Sequence, residues 1–242
     1  RSFLGPIARG ETRWCQGYSE PEAGSDLASL KCGAVRDGDA FVVNGQKIWT
    51  SHADQADWMF CLVRTDTQAP KRDGISFLLI DMSSPGINAK PINLISGSSL
   101  FCEVFFDDVR VPIANLVGPL NGGWTIAKEL LGHERAVISK LRDANSEEEA
   151  TLVDLAKRYL KIEDGRLADA DLRHRIAQVE MDFICNKLTL RRSNESLMAG
   201  RGPGPESSMF KLYGTELNKR KKELRVLVSG YQGLGWDGEN FD

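Results

Sequence analysis

Hydrophobic periodicity divides the chain into two parts of different character. Residues 1–10 look like the tail of a helix ending near Gly10. From there to about residue 117 the apolar residues come in short runs broken by turn signals. Leu30 to Ser51 reads as a long hairpin turned at Arg36-Asp37-Gly38-Asp39, where Asp-Gly is a strong hairpin signal. Asp57 to Arg64 alternates around Trp58, Phe60 and Leu62, and Ile75 to Met82 is a continuous apolar run suited to a buried strand. Ser84-Pro85-Gly86 is a turn, and Phe101 to Val111 is a further strand closed by Pro112. Several short strands of this kind predict an all-β barrel or sandwich.

Beyond Val117-Gly118-Pro119 the period lengthens. Trp124 to Leu141, Leu152 to Leu160, Asp171 to Met198 and Glu206 to Leu227 all carry helical spacing. The third puts Ile176, Val179, Phe183, Leu188, Leu190 and Leu197 near one face; the fourth repeats Met209, Leu212, Leu217, Leu224 and Leu227. Four helices with short connections predict an antiparallel bundle. Asn145-Ser146-Glu147-Glu148-Glu149 has the chemistry of a helix start, and Lys219-Arg220-Lys221-Lys222 that of a solvated helix face. The expectation is an α+β multi-domain chain: 1–10 the end of a helix, 11–117 a β domain, 118–242 a helical bundle.

Composition changes this picture little. The 242 residues are 41 % hydrophobic and 27 % charged, with a formal net charge of −3, ordinary values for a globular protein. Nothing in that balance points to nucleic acid or an anionic membrane, and no apolar run has the length of a membrane span. The five cysteines (15, 32, 61, 102 and 185) are scattered without a CxxC pair, which predicts free thiols in a reducing compartment and no zinc. The three histidines have no ligand spacing.

Candidate chemistry sits in three places. Trp14-Cys-Gln-Gly-Tyr-Ser-Glu-Pro-Glu-Ala-Gly-Ser-Asp26 opens as a strand and closes as a small-residue loop. Its Ala23-Gly24-Ser25-Asp26 end offers a glycine for close approach, a hydroxyl and amides for an anion, and equally suits a plain Asp/Ser/Gly turn. Asn44-Gly45-Gln46-Lys47-Ile48-Trp49-Thr50-Ser51 follows the strand Phe41-Val42-Val43, and its Trp49 alone reads as a core aromatic. Leu131-Gly132-His133-Glu134-Arg135-Ala136 lies in an apolar helix; Glu134 shares a face with Leu130, Leu131, Val137 and Ile138. A carboxylate turned into an apolar pocket has a raised pKa and suits proton abstraction, though a surface Glu-Arg pair has the same spacing. Gly233-Leu234-Gly235-Trp236-Asp237-Gly238 matches G-x-G-x-x-G but follows a helix, so it is not a dinucleotide loop.

The first two segments together resemble the acyl-CoA dehydrogenase family, whose flavin domain carries T-E-P-x-A-G-S-D and then N-G-x-K-x-W-I-T. Here Ser19 and Ser51 stand for the threonines, and both keep a hydroxyl. The resemblance implies FAD, with Gln16, Gly17, Tyr18 and Ser19 edging the ring and Ser19 donating to its pyrimidine side. Gly24 and Ser25 would lie near the pyrophosphate and the acyl-CoA, Trp49 and Thr50 beside the ring, and Ser51 at its reactive N5 edge. Glu134 would be the base that removes the α proton and Arg135 would bind the CoA arm. Metal ligands are not expected.

The resemblance also implies an electron-transferring flavoprotein as acceptor and a homo- or hetero-oligomer formed through the bundle. The compartment would be the bacterial cytoplasm, or the mitochondrial matrix in a eukaryote. Cys15-Gln16-Gly17 and Pro203-Gly204-Pro205-Glu206 look closest to bacterial members, some acting on sterol side chains. Relatives carry an all-helical domain before the β domain and a last helix after the bundle, so the chain reads as a fragment. A partner-dependent or non-catalytic subunit, and a flavin oxidase or monooxygenase on the same scaffold, are the alternatives.

Overall fold

The computed structural model describes residues 3–144, 150–201 and 207–235. The chain forms two compact units, Arg1–Gly132 and His133–Asp242.

In the first unit a short helix, α1 (Leu4–Ala8), precedes eight strands: β1 (Trp14–Gly17), β2 (Gly33–Asp37), β3 (Ala40–Ser51), β4 (Trp58–Arg64), β5 (Ile75–Asp81), β6 (Ile87–Ile92), β7 (Phe101–Pro112) and β8 (Leu116–Val117). Their order is β6-β7-β3-β2-β4-β5-β8, with β1 also paired to β4. The sheet does not close into a barrel. It does curl, because alternate residues of β3 and β7 (Phe41, Val43, Val104, Phe106, Val109) share one core with Met59, Val63, Leu78 and Ile80 of β4 and β5. The β2–β3 hairpin turns at Gly38, whose φ of +61° is easiest for glycine.

Strand β6 has no counterpart among the sequence expectations. Asn88, Lys90 and Pro91 hide it, and proline is tolerated there because β6 pairs on one side only, with β7.

β1 and β2 run along the same edge of β4. Trp14–Gly17 pair with Trp58–Cys61, and Gly33 pairs with Arg64. Residues 18–32 therefore leave the sheet and return to it on one edge, as a loop anchored at both ends. A second core forms beneath that loop, where Tyr18, Ala23 and Leu30 meet Leu62, Ile75, Phe77 and Ala127, with Trp124, Leu130 and Leu131 packed against them. Those last four residues belong to the start of α2 (Gly123–Ala144).

In the second unit, α3 (Leu152–Tyr159), α4 (Ala170–Met198) and α5 (Ser207–Ser229) share a core of Leu152, Leu155, Ile176, Val179, Leu224 and Val228. A capping box starts α3: Thr151 Oγ1 accepts from the Asp154 amide at 3.1 Å. The helix start expected at 145–149 lies outside the described residues. A small hairpin, β9 (Ile162–Glu163) and β10 (Arg166–Leu167), precedes α4 and turns on Asp164-Gly165, both at positive φ.

The apolar stripes of α4 and α5 are buried only in part. Leu188, Leu197, Met209, Leu212 and Leu227 are exposed, because the shared core ends short of them. Lys219 pairs with Glu216 and Arg220 with Asp182 on the solvated face. Among the described residues no helix is long and apolar enough to cross a membrane.

Candidate functional site

The structure joins the two distant motifs of the first unit. The Ile48 amide of β3 donates to the Ser19 carbonyl at 2.9 Å. Lys47, fully buried, donates from Nζ to Glu20 Oε1 at 2.7 Å and to the Tyr18 carbonyl at 3.1 Å. Glu20 is 8 % exposed; its Oε1 also accepts from the Cys32 amide at 2.9 Å and its Oε2 from the Lys31 amide at 2.6 Å. One carboxylate thus ties both ends of the loop to an ammonium from β3, which satisfies both buried charges. Mutual backbone bonds between Glu20 and Ala23 at 3.0 Å close the Pro21 turn. Asp26 at the far end accepts from Ser29 and from Lys71 Nζ, and these bonds hold its carboxyl below the usual range.

Each residue of Asn44-Gly45-Gln46-Lys47-Ile48-Trp49 has a visible task. Asn44 clasps β7: its Nδ2 donates to Asp108 Oδ1 at 2.9 Å and its Oδ1 accepts the Asp108 amide at 2.8 Å, beside a register shift. At Gly45, with φ +144°, a Cβ would lie 2.7 Å from Cys32 Cα, so only glycine lets the end of the loop lie this close. Gln46 donates to Glu103 at 3.1 Å.

Trp49 sits in a bulge of β3, between Lys47 and Thr50, with φ +59°. The left-handed region is strained for a bulky side chain. The strain turns the indole outward: Trp49 is 56 % exposed, edge-on to Phe101 with ring centroids 6.0 Å apart. Trp49 is therefore not a core aromatic.

The other expected site residues differ in what they present. Gln16 and Ser19 are half-buried, and Gly24, Ser25 and Ser51 are exposed. Gly17 is buried against Met59, whose Sδ would lie 2.4 Å from a Cβ there. The Tyr18 ring is a core group, edge-on to Phe60 and Phe77, so Tyr18 faces the loop surface only through its backbone. The Thr50 side chain is likewise buried, and its hydroxyl has no hydrogen-bond partner among the described residues. Among the described residues, the amides of Ser19, Gly24 and Ser25 donate to no acceptor, and a Cβ at Gly24 would meet nothing within 4 Å.

Glu134 falls in the second unit. It is exposed on α2, not turned into an apolar pocket as its helical face suggested. Among the described residues that face is packed as far as Leu131, and the side chains of Val137 and Ile138 lie outside them. The Arg135 side chain lies outside the described residues. Among the described residues no cluster of His, Cys, Asp and Glu could hold a metal.

An outward indole, free amides on a tied loop and open space above Gly24 suit a planar ring with polar edges and an anionic tail. Comparison with known proteins points the same way. The profile described as acyl-CoA dehydrogenase, middle domain, matches residues 15–109, and that of the acyl-CoA dehydrogenase C-terminal domain matches residues 121–241. The chain belongs to the acyl-CoA dehydrogenase family.

It is 43 % identical over 247 residues to acyl-CoA dehydrogenase IpdE1 of Mycobacterium tuberculosis, covering 100 % of this chain and 61 % of that protein. It is 39 % identical over 232 residues to acyl-CoA dehydrogenase FadE34 of the same organism, covering 96 % of this chain and 32 % of that one. Among solved structures, the Tcur3481-Tcur3483 steroid ACAD superposes with a TM-score of 0.85 at 29 % identity, over 100 % of this chain and 62 % of that chain. The chain thus spans less than two thirds of the relatives it matches.

Glu20, Lys47 and Asn44 are the working residues that the motif reading left without a task. Lys47 carried a signal, since it shares the strand parity of the buried Phe41 and Val43. A lysine at an inward position calls for a buried acid.

Proposed function

We propose that this chain is the flavin-binding and helical part of an FAD-dependent acyl-CoA dehydrogenase that introduces an α,β double bond into an acyl-CoA thioester. The observation that carries the proposal is Trp49, an exposed indole held at a strained backbone position and tied through Ile48 to the loop of Ser19. Ser19 and its free amide, Gly24 and Ser25 would hold the cofactor's polar edge and its phosphates, and Trp49 would cover one ring face. When bound, the flavin supplies the acceptor for the hydride that leaves the β carbon.

This chain's own residues do the rest. The tied loop fixes donors in advance of the charge they meet, which is what makes fixed donors effective. Trp49 keeps water from one side of the site. Glu134, as the base, takes the α proton onto its carboxylate, and Arg135 binds the CoA arm. The electron acceptor is an electron-transferring flavoprotein, and similarity to a steroid ACAD supports a steroid-derived acyl group.

An oligomer formed through the helices has its own support. Met181, Ile184 and Leu188 line one face of α4 and are exposed, as are Met209 and Leu212 of α5. A homo-oligomer or a second, different subunit would cover them.

The test is the visible absorption spectrum of the purified chain, with steroid and fatty acyl-CoAs titrated in anaerobically and the mass followed by light scattering. Flavin absorbance that bleaches with one class supports the proposal and names the substrate. A folded chain that takes up no added FAD, alone or with a copurifying subunit, overturns it. Fast reoxidation of the reduced protein by oxygen would place it with the oxidases instead.

A further inference from the structure

We infer that Lys47 tunes the bound flavin electrostatically through the peptide joining Tyr18 to Ser19, and is not only a clasp for the loop. The inference rests on the flavin reading above. Lys47 Nζ donates to the Tyr18 carbonyl at 3.1 Å, and that carbonyl belongs to the same peptide group as the Ser19 amide. The peptide is trans, so the Ser19 N–H points away from Lys47. That N–H has no acceptor among the described residues.

An ammonium on the carbonyl end polarises the whole peptide and makes its N–H a stronger donor. Burial keeps the effect from being screened, because Lys47 has no solvent exposure. Glu20 Oε1 at 2.7 Å balances the charge, so what reaches the loop surface is a directed dipole and not a net charge. A negative charge developing next to the Ser19 N–H is therefore stabilised by a residue that never touches it. Lys47 is a positioning and tuning residue, not a catalytic one.

Two substitutions separate tuning from clasping, since each removes one partner of the same tie. Lys47→Met removes the ammonium. Glu20→Gln keeps the ammonium on the Tyr18 carbonyl and removes its counter-charge. If Lys47 tunes, the reduction potential of the bound flavin moves to more negative values in Lys47→Met and to more positive values in Glu20→Gln. A clasp alone would move both the same way or leave both unmoved, and either result with flavin bound overturns the inference.

Should Lys47→Met not fold, Glu20→Gln decides when the potential is read together with the Ser19 amide resonance: a positive shift with a downfield move upholds the inference, and any other pair of results overturns it. A flavin-free reading exists as well. The Ser19 amide proton resonance in the full chain moves upfield in Lys47→Met and downfield in Glu20→Gln if the peptide is polarised as inferred. Absence of flavin from the wild-type chain would sink the proposed function, while this resonance would still decide whether Lys47 polarises the peptide.

Discussion

The Ile48 amide donates to the Ser19 carbonyl at 2.9 Å, and that bond makes one surface of two segments far apart in the chain. It ends the run of ties that begins at Lys47 and Glu20, and the next residue along β3 is Trp49 with its backbone in the left-handed region. Order in the loop and strain in the strand adjoin. Strain of this kind persists where the surroundings over-determine it, and here the pairing with β7 on either side of the bulge does so.

Trp49→Gly separates site from scaffold. Glycine relieves a left-handed backbone by about 1 kcal/mol, while the lost edge contact with Phe101 costs about 0.5–1.5 kcal/mol. The expected result is an unfolding free energy within about 1 kcal/mol of wild type, measured in urea on the flavin-free chain. Flavin affinity should fall by at least about tenfold, the equivalent of ~1.4 kcal/mol. A stability loss of about 3 kcal/mol or more, as for a buried tryptophan, would return Trp49 to the core.

Two glycines of the site should behave oppositely. Gly45→Ala drives a methyl group to 2.7 Å from Cys32 Cα at a positive φ, where the obstacle is backbone and cannot give way. A loss of about 2–4 kcal/mol is expected, with faster amide exchange over residues 18–32. Gly24→Ala meets open space and should leave stability within about 0.5 kcal/mol, yet weaken flavin or acyl-CoA binding because the methyl occupies the room the ligand uses. Unchanged ligand binding in Gly24→Ala would remove Gly24 from the site.

Much of this fold could be read before the structure. The hairpin at Gly38, the buried run Ile75–Asp81, β7 and all four longer helices follow from period and turn chemistry. What escaped did so for physical reasons. Strand β6 carries Pro91 and alternating polar residues because it lies at a sheet end; β9 and β10 are two residues each, too short for a period, although Asp164-Gly165 was a usable turn signal. The candidate site was legible as two motifs, but not their geometry. A tryptophan carries no local sign of a left-handed φ, which follows from a bulge set by pairing with β7. Glu134 misled in the other direction: an apolar helical face predicts burial only where something covers it, and Glu134 itself is exposed.

The thiols set a pH limit. Burial pushes Cys15 up to about 12 and raises Cys61 and Cys102 as well, whereas Cys185 is exposed. A thiol whose folded pKa lies above its unfolded value favours the fold fully below the unfolded value. That contribution is lost as pH climbs toward the folded one. Stability should therefore fall from about pH 9 toward 12, with a slope for each such thiol approaching about 1.4 kcal/mol per pH unit. At neutral pH a chromogenic disulfide should titrate Cys185 quickly and Cys15, Cys61 and Cys102 only on unfolding; rapid reaction at any of these three in the folded chain would contradict their burial.

Glu134→Gln tests the chemistry itself. The substitution keeps shape and removes the proton acceptor, and Glu134 is exposed on α2, so stability should stay within about 0.5 kcal/mol. If its carboxylate takes the α proton, turnover falls by about 10²–10⁴-fold while flavin and acyl-CoA binding persist. Binding without bleaching, seen in one anaerobic titration, is the expected signature. Turnover near wild type would free Glu134 of that role and move the base to another carboxylate; loss of binding together with turnover would mark it as a ligand contact. Gln retains one acceptor oxygen but loses the charge and gains a donor NH2, so it is the persistence of flavin and acyl-CoA binding that separates loss of the proton acceptor from loss of a contact.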